Sequence, residues 1–203
     1  MTLKTEKYPA LYQASLELFA DFGYRKTTVE DVAVKLDMTK GNLYFYVKNK
    51  KQLYEQTITH ALTQWKDHVK KAVDKKSDPV EKFRVMAVSA LAYIEKNAPL
   101  RQVIIKDPQI FTLSPREDRF AETNQAAMVI LKDILKQGVA QKKFYPMDVD
   151  QVTAYLFSVY MMFLIKTYVN ADQTSSKKLF AIALELNLRG LLNHTTDRLT
   201  PIV

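Results

Sequence analysis

The chain has 203 residues, of which 47% are hydrophobic and 26% are charged, and its formal net charge is +8. This length and hydrophobic content suffice for one substantial domain, or for a small domain joined to a larger one. The absence of cysteine excludes a disulfide-stabilised scaffold and suits a reducing cytoplasm. Only four glycines occur, which favours helices over sheets.

The positive charge is concentrated towards the N-terminus. Residues 1–76 contain 14 Lys and Arg against 9 Asp and Glu, whereas residues 77–203 contain 16 against 13. This excess fits a polyanionic partner for the first third of the chain, and fits equally a soluble protein with solvated charged faces. The most apolar run, at positions 154–165, is too short to span a bilayer, and the first residues lack the apolar core of a signal peptide. We therefore expect a cytoplasmic protein without a membrane partner.

The first predicted helix has apolar residues at three- and four-residue steps that end at Phe22, and Gly23 is well placed to terminate it. A short second helix follows, with Thr27 or Thr28 as its predicted N-cap. The pair Thr27 and Glu30 has the spacing of a capping box.

The next stretch, MTKGNLYFYVKNK at positions 38–50, is compatible with two structures. Its centre, LYFYV, has the composition of a strand, but the chain offers no partner strand, and a lone strand leaves its backbone unpaired. We therefore predict a short helix capped by the hydroxyl of Thr39. Leu43 and Val47 are four residues apart and would face the core, where we also expect Phe45.

Proline and capping residues divide the rest of the chain into helices. In chain order, these are predicted at about 49–76, 79–97, 98–107, 114–143, 148–169 and 177–193. Asn49 and Asp148 are predicted N-caps, and Ser114 with Pro115 is a predicted helix start. Residues 170–176 are predicted to form a polar turn, and the segment from position 194 is predicted to be a loose tail. The fold class is therefore all-α with about nine helices. We place a domain boundary inside the long fourth helix, which gives an N-terminal domain of residues 1–52 and a C-terminal domain of residues 53–203.

The short helix after Thr39 would present residue types that suit DNA. Lys40 can attract phosphate or bind the edge of guanine, and Asn42 can bind the edge of adenine. Gly41 lets the backbone approach a base or a phosphate closely. The alternative is that these side chains are simply solvated.

Aromatic and basic residues flank that helix. The hydroxyls of Tyr44 and Tyr46 can bind phosphates, and their rings can pack on a sugar or a thymine methyl group. Lys48 and Lys50, at the start of the following helix, would lie within reach of the DNA backbone. The alternative is that the tyrosine rings belong to the core.

The run LELFADFGYRKTTVEDVAVKLDMTKGNLYFYVKNKKQLYEQT, at positions 16–57, resembles the three-helix DNA-binding domain of the TetR family of bacterial transcriptional regulators. The matching patterns are F-x-x-x-G-Y/F-x-x-T-T, before the first helix of a helix–turn–helix, and S/T-K-G-x-L-Y-x-Y/H-F-x-x-K, its recognition helix. Two positions depart from the family. Asp37 stands in the turn where a small residue or glycine is usual, although it can adopt the left-handed conformation, and Val47 replaces a phenylalanine.

The resemblance implies a ligand-responsive transcriptional regulator, most often a repressor, that binds a palindromic DNA operator as a homodimer and is released by a small molecule. It implies no catalytic residue and no cofactor. The implied phosphate contacts are Thr28, Tyr44, Tyr46 and Lys50, and the implied base or groove contacts are Thr39, Lys40, Gly41 and Asn42.

The last predicted helix has two apolar faces, one marked by Leu179, Ile182, Ala183 and Leu186 and the other by Leu184, Leu188 and Leu191. Two apolar faces need two partners, namely the chain's own core and a second subunit, with the run at 154–165 as the second interface helix. The alternative is that both are central helices of a monomer.

The resemblance also implies a cavity for a small apolar or amphipathic effector in the C-terminal half. Aromatic and methionine residues at helical spacing could line it, although such residues are more often plain core; these candidates are Tyr93, Phe111, Phe120, Met128, Tyr155, Tyr160 and Met162. The charge of the effector stays open, because Arg101, Lys106 and Arg119 could receive an anion whereas Glu95, Asp107 and Glu122 could receive a cation.

Two other functions compete with that of a regulator. An enzyme is disfavoured because the three histidines, His60, His68 and His194, have no converging carboxylate pair, and the sequence has neither a glycine-rich phosphate loop nor a cysteine nucleophile. We expect no metal site for the same reason. A helical protein-interaction module with a solubilising basic patch is the second alternative, and it predicts no salt-dependent binding to duplex DNA.

Overall fold

The computed structural model describes residues 2–112, 114, 116–169 and 173–193. Within these ranges the fold is all-α, as predicted. The described residues form nine α-helices: α1 (Thr2–Lys26), α2 (Val29–Lys35), α3 (Lys40–Tyr44), α4 (Lys50–Asp74), α5 (Pro79–Lys96), α6 (Ala98–Lys106), α7 (Ala121–Ala140), α8 (Val149–Leu164) and α9 (Gln173–Leu191). A 3₁₀ turn, Pro108–Ile110, follows α6, and a π-helical turn, Ile165–Val169, follows α8.

The start of α2 has a capping box one residue later than predicted. The Thr28 hydroxyl accepts a hydrogen bond from the Asp31 amide at 3.1 Å, and the Asp31 carboxylate accepts one from the Thr28 amide at 2.7 Å. Thr27 is buried instead, and its hydroxyl donates to the carbonyls of Leu18 and Gly23. Thr27 therefore hydrogen-bonds to carbonyls of α1, and Thr28 is the N-cap of α2.

The predicted caps of α3 and α4 are confirmed. The Thr39 hydroxyl accepts a hydrogen bond from the Asn42 amide at 3.2 Å, and the Asn49 side-chain oxygen accepts one from the Gln52 amide at 2.9 Å. The turn between α2 and α3 contains Asp37 with a φ of 52°, the left-handed conformation expected there.

Two predicted boundaries in the second half are wrong. Helix α7 begins at Ala121 rather than at Ser114, while Pro115 lies outside the described residues. The start is marked instead by Asp118, whose carboxylate accepts hydrogen bonds from the Phe120 amide at 2.8 Å and from the Asn124 side chain at 2.9 Å. Helix α9 begins at Gln173, so residues 173–176 are helical, because no glycine or proline interrupts them. Residues 170–172 and the predicted tail lie outside the described residues.

A continuous apolar core joins the two halves of the chain. Leu43 and Val47 are buried, as predicted, whereas Phe22 is 57% exposed and does not extend the apolar face of α1. Gly23 follows directly, and its φ of 76° interrupts the helical geometry of α1. Helix α4 packs on α1 near its beginning and on α5 and α7 further along, and α6 packs on α1. The proposed boundary after residue 52 falls in the first turn of α4, which is unbroken, and stays a prediction.

The last turn of α7 packs closely against the ring of Phe144. A Cβ built on Gly138 would lie 2.0 Å from the ring of Phe144, and the Gly138 carbonyl accepts hydrogen bonds from the amides of Lys143 and Phe144. Phe144 is buried and pairs with Leu192 in an isolated bridge after α9. Glycine is therefore required where the chain turns back between α7 and α8.

Candidate functional site

Helices α2 and α3 form a helix–turn–helix whose second helix is held from one side only. Leu43 is fully buried and Val47 is 2% exposed, so these two residues anchor α3 and the turn after it. Val32 and Ala33 of α2 are buried in the same core. The opposite side of α3 has no covering element in the described part of the chain, and it is the side that would enter a groove of DNA.

The candidate contacts on α3 are exposed. Lys40, Gly41, Asn42 and Tyr44 are all on its open side, together with the capping residue Thr39. A Cβ built on Gly41 would meet no atom within 4 Å, so glycine is not required there for packing. If glycine is needed at this position, the reason is contact with another molecule and not packing within the chain.

Lys40 is positioned by its neighbours. Its ammonium group forms a salt bridge with Glu30 of α2 and lies 6.0 Å from the centre of the Tyr44 ring. The hydrogen bond between the two side chains raises the pKa of Lys40 and lowers the pKa of Glu30. Both groups are solvent-exposed, so this pair can open to let Lys40 reach a phosphate or a base.

The remaining sequence-predicted DNA contacts differ in their surroundings. Thr28 and Lys48 are exposed. Tyr46 is half-buried, and its ring packs edge-on against Tyr8 of α1 with ring centres 5.4 Å apart. The ammonium group of Lys50 donates a hydrogen bond to the Arg25 carbonyl and lies 4.6 Å from the centre of the Tyr24 ring. Lys50 thus fastens the start of α4 to the end of α1.

Phe45 lies on the opposite side of the helix–turn–helix from the one predicted. It was expected in the core but is 75% exposed, because the i, i+4 pair Leu43 and Val47 already fills the inward side of a five-residue helix. That pair was the available signal, since a residue between them must point elsewhere. An exposed phenylalanine beside Tyr44 adds an apolar surface that could contact a sugar or a thymine methyl group.

A cavity of about 120 Å³ lies in the C-terminal half. Its wall is almost entirely apolar and is contributed by α4, α5, α7, α8 and α9 together with Phe111. Of the seven sequence-predicted lining residues, Phe111 and Tyr160 are on this wall. Tyr93 instead packs on His68, Phe120 is buried outside the wall, Met128 is half-buried outside it, and Tyr155 and Met162 are exposed.

None of the six candidates for binding a charged head group lines this cavity. Lys66 is the one charged side chain on the described wall, and it forms a 2.8 Å salt bridge with Asp67. Lys106, Asp107 and Arg119 lie together in a separate cleft between α1, α4 and α6. The cavity therefore has no carboxylate for a cationic effector among the residues that the structure describes.

That cleft contains a polar junction between the two halves. The hydroxyl of Tyr54 on α4 donates a 2.7 Å hydrogen bond to the carboxylate of Asp107, which also accepts one at 2.7 Å from Arg119. The ammonium group of Lys106 donates to the carbonyls of Ala20 and Asp21 at the end of α1. These contacts tie the end of α6 to both helices that support the helix–turn–helix.

The surface of α8 and α9 carries large exposed apolar side chains. They are Tyr155, Met162, Leu179, Ile182 and Leu186. The other predicted face of α9 is turned inward, since Leu188 and Leu191 are buried and Leu184 packs on the core. Across the described ranges, no helix is long and apolar enough to cross a membrane, and no group of three metal-binding side chains is assembled.

The chain is similar in sequence to known bacterial regulators. The profile of the family described as "Bacterial regulatory proteins, tetR family" matches residues 11–57. The transcriptional repressor KstR2 of Mycolicibacterium smegmatis is 30% identical over 149 residues, covering 72% of each chain. The fatty acid metabolism regulator protein of Bacillus subtilis is 22% identical over 139 residues, which are 68% of this chain and 71% of that protein.

Solved structures have the same fold. The regulator FadR from Bacillus subtilis, crystallised with stearoyl-CoA, superposes with a TM-score of 0.74 at 19% identity, over 91% of this chain and 99% of FadR. The ketosteroid regulator KstR2 of Mycobacterium tuberculosis superposes with a TM-score of 0.60 at 21% identity, over 93% of this chain and 96% of KstR2.

Proposed function

Since the chain belongs to the TetR family of bacterial regulatory proteins, we propose that it represses transcription by binding a palindromic DNA operator as a homodimer, and that a small apolar or amphipathic effector releases it. The observation that carries this proposal is α3. Its buried residues Leu43 and Val47 fix its orientation, while Lys40, Gly41, Asn42 and Tyr44 stay exposed. Its site of action would be the cytoplasm, where the operator lies.

Recognition of DNA would divide between backbone and base contacts. Phosphates would be bound by Tyr44 at the end of α3 and by residues outside this helix, namely Thr28, Tyr46, Lys48 and Lys50. These contacts would fix the position of the protein on the duplex. Thr39, Lys40, Gly41 and Asn42 would face the base edges in the major groove. The cluster of basic residues around α3 predicts binding that weakens steeply with salt.

The exposed apolar residues of α8 and α9 support a two-fold dimer. Ile182 and Leu186 are 56% and 64% exposed, so their burial against a second copy of the chain would remove apolar surface from water. Each subunit would use the same surface, as two-fold symmetry requires. Such a dimer presents two copies of α3, which matches the symmetry of a palindromic operator.

Helix α4 would transmit the presence of an effector to the DNA-binding surface. Its first residue, Lys50, contacts the end of α1, whereas Leu62, Trp65 and Val69 line the cavity. At 1.5 Å per residue, the cavity wall begins about 18 Å along the same helix. An effector that moves this wall would therefore also move the helix–turn–helix, and the coupling must act equally in both directions.

The walls of the cavity support an uncharged or anionic effector with a large apolar part. FadR of Bacillus subtilis was crystallised with stearoyl-CoA, which joins a long apolar acyl chain to an anionic CoA group, and KstR2 is described as a ketosteroid transcriptional regulator. A cationic drug is the less favoured class, because the described wall carries no carboxylate.

Selection of bound duplexes from a random library tests this function. We expect enrichment of one palindromic sequence, bound by two chains per duplex in analytical ultracentrifugation, with an affinity that falls steeply as salt rises. Fragments selected from the source genome should include the promoter next to the protein's own gene. Recovery of no preferred duplex, with binding insensitive to salt, would instead favour the protein-interaction module.

A further inference from the structure

One carboxylate of the helix–turn–helix contacts the helix that is proposed to bind DNA. Glu30 on α2 forms a salt bridge with Lys40 on α3. Asp31, the next residue, instead forms the capping box with Thr28 within the first turn of α2. A carboxylate beside a surface that binds a polyanion opposes that binding, so Glu30 does not serve to attract DNA.

This salt bridge contributes little to the stability of the fold. The side chains of Lys40 and Glu30 are 57% and 46% exposed, and ion pairs in such surroundings contribute little to folding. The first turn of α2 is capped by Thr28 and not by Glu30, and α3 is anchored by the buried Leu43. The effect of Glu30 therefore falls on the charge and the position of Lys40.

While Glu30 holds it, Lys40 is a poor partner for a phosphate. The hydrogen bond between the two side chains lowers the pKa of Glu30 and raises the pKa of Lys40, so both stay charged near neutral pH and the pair has no net charge. A phosphate could take Lys40 only by displacing Glu30, which exchanges one exposed ion pair for another and gains little. The phosphate would then also lie near the released carboxylate, which repels it.

The edge of a guanine does not require that exchange. A lysine ammonium group has three N–H donors, and its contact with the Glu30 Oε1 atom uses one of them. In the major groove, guanine presents two acceptors, O6 and N7, and no negative charge. Lys40 could therefore bind both acceptors and keep its salt bridge with Glu30.

We propose that Glu30 determines the sequence specificity of DNA binding, because it holds Lys40 for the edge of a guanine and keeps it from phosphates of unrelated sequence. Glu30 is thus a positioning residue, which acts through Lys40 and does not itself contact DNA. This inference rests on the proposed function, because it takes α3 to be the helix that enters the major groove.

Glu30→Gln tests this role, since glutamine has the same shape without the charge. Fluorescence anisotropy on the full chain measures the affinity for the selected operator and for a duplex of the same length with a shuffled sequence, over a range of salt concentrations. Released Lys40 can bind phosphates, so affinity for the shuffled duplex should rise about three- to tenfold, with a salt dependence steeper by about one phosphate contact. Operator affinity should rise less, so the ratio of the two affinities should fall.

Operators with single substituted base pairs show whether Glu30 acts through Lys40. Lys40→Ala identifies the base pair that Lys40 reads, as the position where substitution no longer weakens binding. For the unmodified chain, substitution of that pair should weaken binding about tenfold or more. In Glu30→Gln the same substitution should weaken binding about threefold or less, with the effects at all other pairs retained.

Glu17→Gln is the matched control. Glu17 on α1 pairs with Lys35 on α2 at 2.7 Å, so this variant removes the same charge and a salt bridge between helices, but none that involves α3. It should change neither the affinity ratio nor the effect of any base-pair substitution. Both carboxylates are accessible to solvent, so the helical circular dichroism of each variant should match that of the unmodified chain.

Three results would overturn the inference. If Glu30→Gln raises both affinities equally or changes neither, the affinity ratio does not depend on Glu30. If substitution of the pair read by Lys40 stays as harmful, or becomes harmless without a gain on the shuffled duplex, Glu30 does not position Lys40. If Glu17→Gln has the same effects, they arise from net charge. The operator is still bound in all three cases, so the proposed function stands, whereas its own failure would appear as the absence of any preferred duplex.

Discussion

At Gly41, the stability of α3 and its proposed binding to DNA favour different side chains. A Cβ would meet nothing within 4 Å, so the chain itself does not need glycine at this position. Alanine favours the helix, and we expect Gly41→Ala to raise the free energy of unfolding by about 0.5–1 kcal/mol. The added methyl group would stand between the backbone and the groove, so operator affinity should fall about tenfold.

Gly190→Ala provides the control for this variant. Gly190 lies in α9, where an added Cβ would likewise meet nothing within 4 Å. Urea unfolding and operator binding by fluorescence anisotropy measure the two effects. An unchanged operator affinity in Gly41→Ala would show that the backbone of α3 does not approach DNA closely.

The single residues that the sequence predicted well are those with local physical causes. Thr39, Asn49 and Asp37 follow from capping and turn chemistry, which depend on the next three residues of the chain. Phe22 and Phe45 are apolar and yet exposed, which side-chain type alone does not predict. At Phe45 the buried pair Leu43 and Val47 already fills the inward side.

At the scale of elements, the hydrogen bond from Tyr54 to Asp107 joins α4 to the end of α6. Burial, followed by the hydrogen bond to the Asp107 carboxylate, raises the pKa of Tyr54 above its ordinary value of 10.0. The folded state therefore keeps this proton more firmly than the unfolded state does. The stability that follows is fully present below pH 10 and is lost as the pH rises above it.

Tyr54→Phe tests this junction. Asp107 keeps Arg119 as a partner in the variant, so no carboxylate is left alone. We expect the free energy of unfolding at pH 7 to fall by about 1–2 kcal/mol. From pH 9 to pH 11, urea unfolding should show a smaller loss of stability for the variant than for the unmodified chain. Parallel losses for the two proteins would contradict the raised pKa.

Helix boundaries were predictable wherever a capping side chain marks them. Helices α2 to α6 and α8 all begin at a residue whose side chain accepts a hydrogen bond from the first turn. Helix α7 has no such cap at Phe120. The Asp118 carboxylate accepts hydrogen bonds from the Phe120 amide and the Asn124 side chain there, and the Ser114 and Pro115 pair did not reveal that start.

At the scale of the whole molecule, the two candidate sites differ in how far the sequence could predict them. The DNA-binding surface is built from about 25 consecutive residues, so its motif and its exposed side follow from local spacing. The cavity draws its walls from five helices, and its residues depend on how those helices pack. The sequence pattern predicts Phe111 and Tyr160 but not Trp65, Phe83 and Phe180, because side-chain type alone does not separate a cavity wall from solid core.

If the open side of α3 binds operator DNA, removal of its exposed side chains must weaken that binding. Operator affinity should be compared by fluorescence anisotropy, over a range of salt concentrations, for the unmodified chain and for two double variants. The first is Lys40→Ala with Tyr44→Ala. The second, its matched control, is Lys143→Ala with Tyr145→Ala, which removes the same two residue types from an exposed segment far along the chain.

We expect the first variant to lose about 100-fold in affinity and to show a shallower dependence on salt, because a phosphate or base contact is gone. Helical circular dichroism and the dimer mass should be unchanged, since Lys40 and Tyr44 are both exposed. The control variant should bind as tightly as the unmodified chain. Full operator affinity in the Lys40 and Tyr44 variant, with an unaltered salt dependence, would contradict the account.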